Sequence, residues 1–154
     1  MAEKLSMQPY KGTRDFYPND MRLRNWFFGK IRNALELAAF DEYNGPMLES
    51  FDIYAAKSGD EIANEQTYHF TDRGERNLAI RPEMTPTVAR MVAGKMGELN
   101  FPLKWFSIPN MYRYEATQRG RLREFWQLNV DIFGVDTYEA DLDAIQSAIN
   151  VLRA

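Results

Sequence analysis

Residues 104–134 read KWFSIPNMYRYEATQRGRLREFWQLNVDIFG, two candidate strands joined by a short loop crowded with arginine. In the second strand, period-two alternation puts Phe125, Gln127, Asn129, Asp131 and Phe133 on one face and Trp126, Leu128, Val130 and Ile132 on the other. The first strand puts Arg113 and Glu115 on a common face by the same rule. Paired as a hairpin, the strands gather Arg113, Glu115, Gln127, Asn129 and Asp131 on one surface, with Arg119, Arg121 and Arg123 of the loop near its edge. A strand that is polar on one side usually faces water there. Against that reading, Phe125 and Phe133 share the polar face, which is rich in guanidinium, carboxylate and amide groups. The arrangement suits a ligand with both an anionic and a cationic end.

Working outward, the 154 residues make one domain or a large piece of one. The chain has no cysteine and a single histidine, which excludes disulfides and thiolate metal sites and argues against structural zinc. Its net charge of −3 excludes a globally basic nucleic-acid binder, so any such contact must be local. No apolar run approaches the roughly 20 residues of a membrane span, and MAEKLSMQPYKG at the N-terminus has no signal-peptide core. A cytoplasmic location is expected.

Residues 1–9 read as a flexible leader, and 10–18 (YKGTRDFYP) as an ordered loop or short extended segment. A helix is predicted from Asn19 or Asp20, either serving as cap, to about Phe40, with Leu23, Trp26, Phe27, Ile31, Ala34, Leu35 and Ala38 as its apolar stripe. Residues 42–49 read as one strand, with Pro46 marking an edge or end, then a short helix over 51–56 and a polar loop over 57–66. Residues 68–71 and 78–81 form a hairpin signal around DRGER, with Gly74 free to take positive φ. Thr85 is the expected cap of a helix over about 86–96. A last helix spans about 137–152, with Asp136 and Glu139 as a capping box and Leu142, Ile145, Ile149 and Leu152 as its buried stripe. His69, alone between Tyr68 and Phe70, reads as structural. The element order predicts an α+β domain on a mainly antiparallel sheet.

These motifs resemble, in order, those of class II aminoacyl-tRNA synthetases, specifically the histidyl-tRNA synthetase family. KGTRDFYP is similar to the family's N-terminal signature and YNGPMLES to motif 1, whose helix and strand build a homodimer interface. LAIRPEMTPTVARM resembles the segment that grips the amino acid, and MYRYEATQRGRLREFWQLNVDIFG resembles motif 2. The resemblance implies residues 10–154 as the N-terminal part of a class II catalytic domain carrying motifs 1 and 2. It implies ATP as substrate, with Mg²⁺ on its phosphates, and activation of histidine to histidyl-adenylate before transfer to tRNA(His). Arg113 would hold the ATP α-phosphate and the amino acid's carboxylate, and would be catalytic. Glu115 would accept from the adenine amino group, and Arg121 with Arg119 would reach the outer phosphates. Glu83, Thr85, Gln127 and Asp131 would bind the amino acid. No metal ligand in the chain is implied.

The pattern also departs from the family. Position 131 is Asp where bacterial members have Glu, and Met84 stands where some have Gly. Motif 3, the histidine-specific segments and the anticodon-binding domain are not found, so the chain is expected to be an N-terminal fragment. The alternative reading is the synthetase-like regulatory subunit of ATP phosphoribosyltransferase, a non-catalytic histidine sensor. A third is a plain dimerisation module.

Overall fold

The alternating stretch does form the central hairpin, although longer and more broken than alternation predicts. The computed structural model describes residues 5–56 and 65–154. Strand β5 (Leu103–Ser107) pairs antiparallel with β8 (Asn129–Phe133), and β6 (Asn110–Tyr112) with β7 (Glu124–Trp126). Both ladders keep one register: Ser107 faces Asn129 and, three residues on, Asn110 faces Trp126. The gap falls at Pro109, which has no N–H to donate, yet Gln127 N still bonds Pro109 O at 3.2 Å. The hairpin therefore keeps its faces in phase across the break.

The remaining elements pack on it from both sides. Helix α1 (Pro18–Glu36) leads into β1 (Asp41–Glu42), which pairs parallel with β5 and makes the order β1-β5-β8. Strands β2 (Leu48–Ser50), β3 (His69–Thr71) and β4 (Asn77–Ile80) form a second antiparallel sheet, β2-β4-β3. Short helix α2 (Asp52–Ala55) follows β2, and α3 (Thr85–Lys95) follows β4. Helix α4 (Tyr138–Arg153) ends the chain.

Two cores lie on opposite faces of the long hairpin. On one, Ile31 and Leu35 of α1 bury Phe40 and Phe106, with Leu128, Val130, Ile132 and Val151 packed around them. On the other, Met84, Val88 and Val92 pack with Tyr43, Leu103 and Met111, and Phe125, Phe133 and Trp105 join them. The phenylalanines that made the polar face unlike a wet surface are thus covered at both ends.

Several local expectations are corrected. Helix α1 begins at Pro18, and Asp20 is not its cap but sits in the first turn, accepting from Tyr17 N at 3.0 Å. It ends at Glu36, short of Phe40, through a turn in which Ala39 takes φ 61°. Its stripe divides: Ile31 and Leu35 are buried, whereas Leu23, Trp26 and Phe27 are exposed. Residues 42–49 are not one strand, because β1 and β2 join different sheets on either side of Pro46. In the β3–β4 turn Glu75, not Gly74, takes positive φ (60°), while the Asp72 carboxylate accepts from Gly74 N and Arg76 N at 2.8 and 2.9 Å. Of the predicted 57–66 loop, residues 57–64 lie outside the described residues.

Helix α4 has its N-cap at Thr137, without a side-chain cap bond, so the Asp136–Glu139 box does not form. Leu142, Ile145 and Leu152 face outward; Ser147 and Val151 carry the packed side instead. Thr85 is likewise not a cap: Met84 holds that position, and Thr85 and Pro86 open the helix. Thr85→Ala is therefore expected to change stability by less than about 0.5 kcal/mol, against ~1 kcal/mol for a lost cap. A denaturant midpoint shift equivalent to the larger figure would return Thr85 to the capping role.

Candidate functional site

The site is built on the hairpin face that carries Arg113, Gln127, Asn129 and Asp131. Arg113 follows β6 and lies beside Arg123 across the hairpin, its N donating to Arg123 O at 2.9 Å. Its guanidinium rests 5.3 Å from the Phe125 ring centroid and donates through Nε to Pro82 O at 2.9 Å. That bond ties the hairpin to the RPEMT segment, so Glu83 and Thr85, flanking buried Met84, belong to the same neighbourhood. Arg113 is half-buried, and neither terminal nitrogen is bonded among the described residues. A fork held by its stem with both tines free is suited to a bidentate anion.

Further along, Gln127 Nε2 donates to Asn129 Oδ1 at 2.9 Å, and Tyr43 OH donates to Asp131 Oδ2 at 3.0 Å. Glu115 and Arg121 form an ion pair at 3.2 Å, with the Glu115 side chain 14% exposed and Arg121 59%. Arg119 is exposed and turns to the other side of the loop, where it lines a different hollow.

The loop arginines do not act as one cluster. Arg123 is buried: it donates to Tyr10 OH at 2.5 Å and Glu115 O at 3.2 Å, and stacks 4.0 Å over the Tyr114 ring. It therefore braces the strand end that carries Glu115, its guanidinium taken up by Tyr10 OH and Glu115 O. Gly12 O accepts from Arg123 N and Glu124 N at 2.8 and 3.0 Å, so the N-terminal segment is sewn to the same place. Sequence spacing held no signal for this contact, because Tyr10 and Arg123 lie far apart in the chain. His69 is exposed and packs on Phe51 with ring centroids 4.9 Å apart.

Asp131 is the most perturbed carboxylate of this face. Burial holds its carboxyl above the usual carboxylate range, and the Tyr43 hydrogen bond pulls it back only in part. A carboxyl raised on folding contributes stability below its unfolded value and loses it as pH rises through the folded one. Ionised Asp131 thus costs stability near neutral pH. Asp131→Asn is expected to raise the melting temperature there, with the gain shrinking as pH falls through the folded titration. Thermal melts of both chains over that range check this, and a gain that grows toward acid would contradict it.

On the α1 side lies a hollow of about 860 Å³, lined by Arg14, Phe16, Arg24, Trp26, Arg119 and Trp126 among others. Arg24 sits among aromatic rings there, 4.7 Å from Phe16 and 5.0 Å from Trp126, and its buried Nε has no hydrogen-bond partner among the described residues. The hollow is large but open and aromatic, and its carboxylates are Asp20 and Glu124, not those of the polar face. No group of three or more metal-ligating side chains occurs among the described residues.

The sequence profile of the histidyl-tRNA synthetase family matches residues 12–154, nearly the whole chain. The chain belongs to the histidyl-tRNA synthetase family. The histidine–tRNA ligase of Leptospira biflexa serovar Patoc is 56% identical over 152 residues, covering 99% of this chain and 35% of that protein. The chloroplastic/mitochondrial histidine–tRNA ligase of Arabidopsis thaliana is 44% identical, over 98% of this chain and 31% of that protein. A solved structure from Bacillus halodurans C, described as an ATP phosphoribosyltransferase regulatory subunit/histidyl-tRNA synthetase, superposes with a TM-score of 0.83 at 25% identity. It covers 99% of this chain and 39% of that one. The fold is accordingly the α+β class II synthetase fold, in part: the chain spans about a third of the length of the curated relatives it matches.

Proposed function

We propose that residues 10–154 form the N-terminal part of a histidine–tRNA ligase catalytic domain, and that its polar face holds ATP and histidine for adenylate formation. Residues 1–9 would be a leader outside it; of these, Leu5 and Met7 are 90% and 93% exposed. The observation that carries the reading is the seat of Arg113, braced by Phe125 and Pro82 O with neither terminal nitrogen bonded among the described residues. In the reaction, a histidine carboxylate oxygen bonds to the α-phosphorus of ATP, the bond to the bridging oxygen breaks, and pyrophosphate leaves. No covalent enzyme intermediate is required. Arg113 would bridge the attacking carboxylate and the α-phosphate, drawing reactants together and stabilising charge that builds at phosphorus.

Glu115 would accept from the adenine amino group once its pair with Arg121 opens. Arg121, largely exposed, would then follow the outer phosphates, with Arg119 as a second cation. Glu83, Thr85, Gln127 and Asp131 would take the amino acid. Mg²⁺ enters as the magnesium salt of the ATP substrate, whose phosphates need no dedicated protein cage. Transfer to tRNA(His), motif 3, the histidine-specific segments and an anticodon-binding domain would belong to the longer protein.

A homodimer through the motif 1 helix is part of the same reading: Leu23, Trp26 and Phe27 of α1 stand 67%, 62% and 54% exposed along one hollow. A cytoplasmic location follows from the same role, and no helix among the described residues is long and apolar enough to cross a membrane. The regulatory-subunit reading draws on the Bacillus halodurans neighbour alone. The deciding experiment is histidine-dependent ATP–pyrophosphate exchange by the 154-residue chain, with Arg113→Ala purified identically as control. Exchange that needs histidine and disappears in the variant is expected. Exchange unaffected by the substitution removes Arg113 from the reaction.

A further inference from the structure

We propose that Tyr43 is a positioning residue of the amino-acid site: its hydroxyl pins one oxygen of the Asp131 carboxylate so that the other is presented to an N–H donor of the ligand. This rests on the proposed role of Asp131 in holding the amino acid.

Tyr43 follows β1 and extends its parallel ladder, with Tyr43 N donating to Phe106 O at 2.8 Å. Its ring is almost fully buried and leans on Trp105, with centroids 5.6 Å apart and planes at 37°. Trp105 is in turn the register partner of Asp131. Three neighbouring strands thus contribute phenol, indole and carboxylate in a row, and the phenol is fixed at both its backbone and its ring. Its hydroxyl meets Asp131 Oδ2 at 3.0 Å, while Oδ1 takes no bond from the described residues.

A purely structural carboxylate in this half-buried place needs a cation or several donors. None of the ion pairs among the described residues includes Asp131. One phenol cannot satisfy two oxygens. The terminal torsion of aspartate is also soft, so an unanchored carboxylate sweeps through a broad range. Fixing Oδ2 therefore sets where Oδ1 points. Ser107, 1% exposed on the neighbouring strand, adds a second unmet group. Its hydroxyl is buried and has no hydrogen-bond partner among the described residues. The floor therefore holds polar capacity that the described residues do not fill. The titratable group acting on Asp131 is Tyr43, against the opposing effect of burial.

The test uses the whole chain with ¹³C-labelled aspartate. It follows the Asp131 carboxyl through a pH titration and measures L-histidine affinity for wild type, Tyr43→Phe and Asp131→Asn, with backbone amide spectra confirming the fold of each. Tyr43→Phe is expected to weaken histidine binding about tenfold, the scale of one charge-assisted hydrogen bond. It should also move the Asp131 titration upward, so that binding fails at a higher pH than in wild type. If Tyr43→Phe binds as wild type while Asp131→Asn does not, the positioning role of Tyr43 is overturned and the amino-acid site stands. Absent histidine binding, or binding indifferent to Asp131→Asn, overturns both.

Discussion

Arg81→Met is expected to destabilise the chain by about 3 kcal/mol, a drop of about 6–12 °C in melting temperature for a domain of this size. Arg81 is 4% exposed and carries no carboxylate partner in any ion pair among the described residues. Its guanidinium spends its donors on chain connections: Nε to Asn110 O at 2.9 Å, Nη1 to Gly45 O at 2.8 Å and Asn44 Oδ1 at 3.2 Å, Nη2 to Asn110 Oδ1 at 3.2 Å. Its own backbone accepts from Tyr112 N at 3.2 Å and donates to Met47 O at 2.9 Å. One side chain therefore joins the β2-β4-β3 sheet, the segment after β1 and the start of β6. Methionine fills much of the volume but leaves two main-chain carbonyls without their donor, each costing about 1–3 kcal/mol. The opposing effect is smaller: burial already disfavours the charged guanidinium, lowering its pKa, so an apolar side chain recovers part of that cost. Lysine does not rescue, because one ammonium cannot reach four acceptor oxygens arranged around a planar fork. Denaturant unfolding of both variants measures the effect, and a loss under 1 kcal/mol for Arg81→Met would falsify the bracing role.

The second large effect is expected at Gly12. Its φ is +84°, and an added Cβ would stand 2.7 Å from Arg123 Cγ and 2.8 Å from both Arg123 Cβ and Thr117 Cγ2. A left-handed backbone with a Cβ costs about 1–2 kcal/mol, and forcing an extra methyl into a packed place about 1–3 kcal/mol more. Gly12→Ala is therefore expected to lose about 3 kcal/mol. Two of the three crowded atoms belong to the buried Arg123 that braces Glu115, so the nucleotide binding proposed for this face should weaken as well. Gly120→Ala separates the two causes: its φ is +79°, but nothing lies within 4 Å of the added Cβ. Only the backbone cost should appear there, about 1–2 kcal/mol. Equal losses at the two glycines would mean that the contact with Arg123 contributes nothing.

These two positions mark where reading along the chain stops being enough. The hairpin was legible because alternation is local, and Pro109 interrupts its bonding without shifting its phase. The proposed ligand residues Arg113, Gln127 and Asp131 were legible for the same reason, as polar members of a face bounded by two phenylalanines. The helical stripe of α4 has the right period and the wrong side: Leu142, Ile145 and Leu152 are exposed while Ser147 is buried. Periodicity identifies a face, and hydrophobicity alone chose the wrong one. The caps failed through register. Asp20 and Thr85 have suitable side chains, but each lies inside a helix that starts earlier than its composition suggests.

The amino-acid sequence alone carried the element types, the two-faced hairpin and the family, since each depends on residues close together or on motifs in order. Only the tertiary structure assigned individual side chains their work. Arg121 and Arg123 have the same chemistry two residues apart. One is exposed and paired with Glu115, and the other is buried because Tyr10 and Gly12 close over it. Tyr43 is an ordinary aromatic in the chain, and becomes Asp131's partner through an 88-residue separation bridged by three strands. Burial and hydrogen-bond partnership are properties of what the chain brings back to a place, and no local pattern encodes that return.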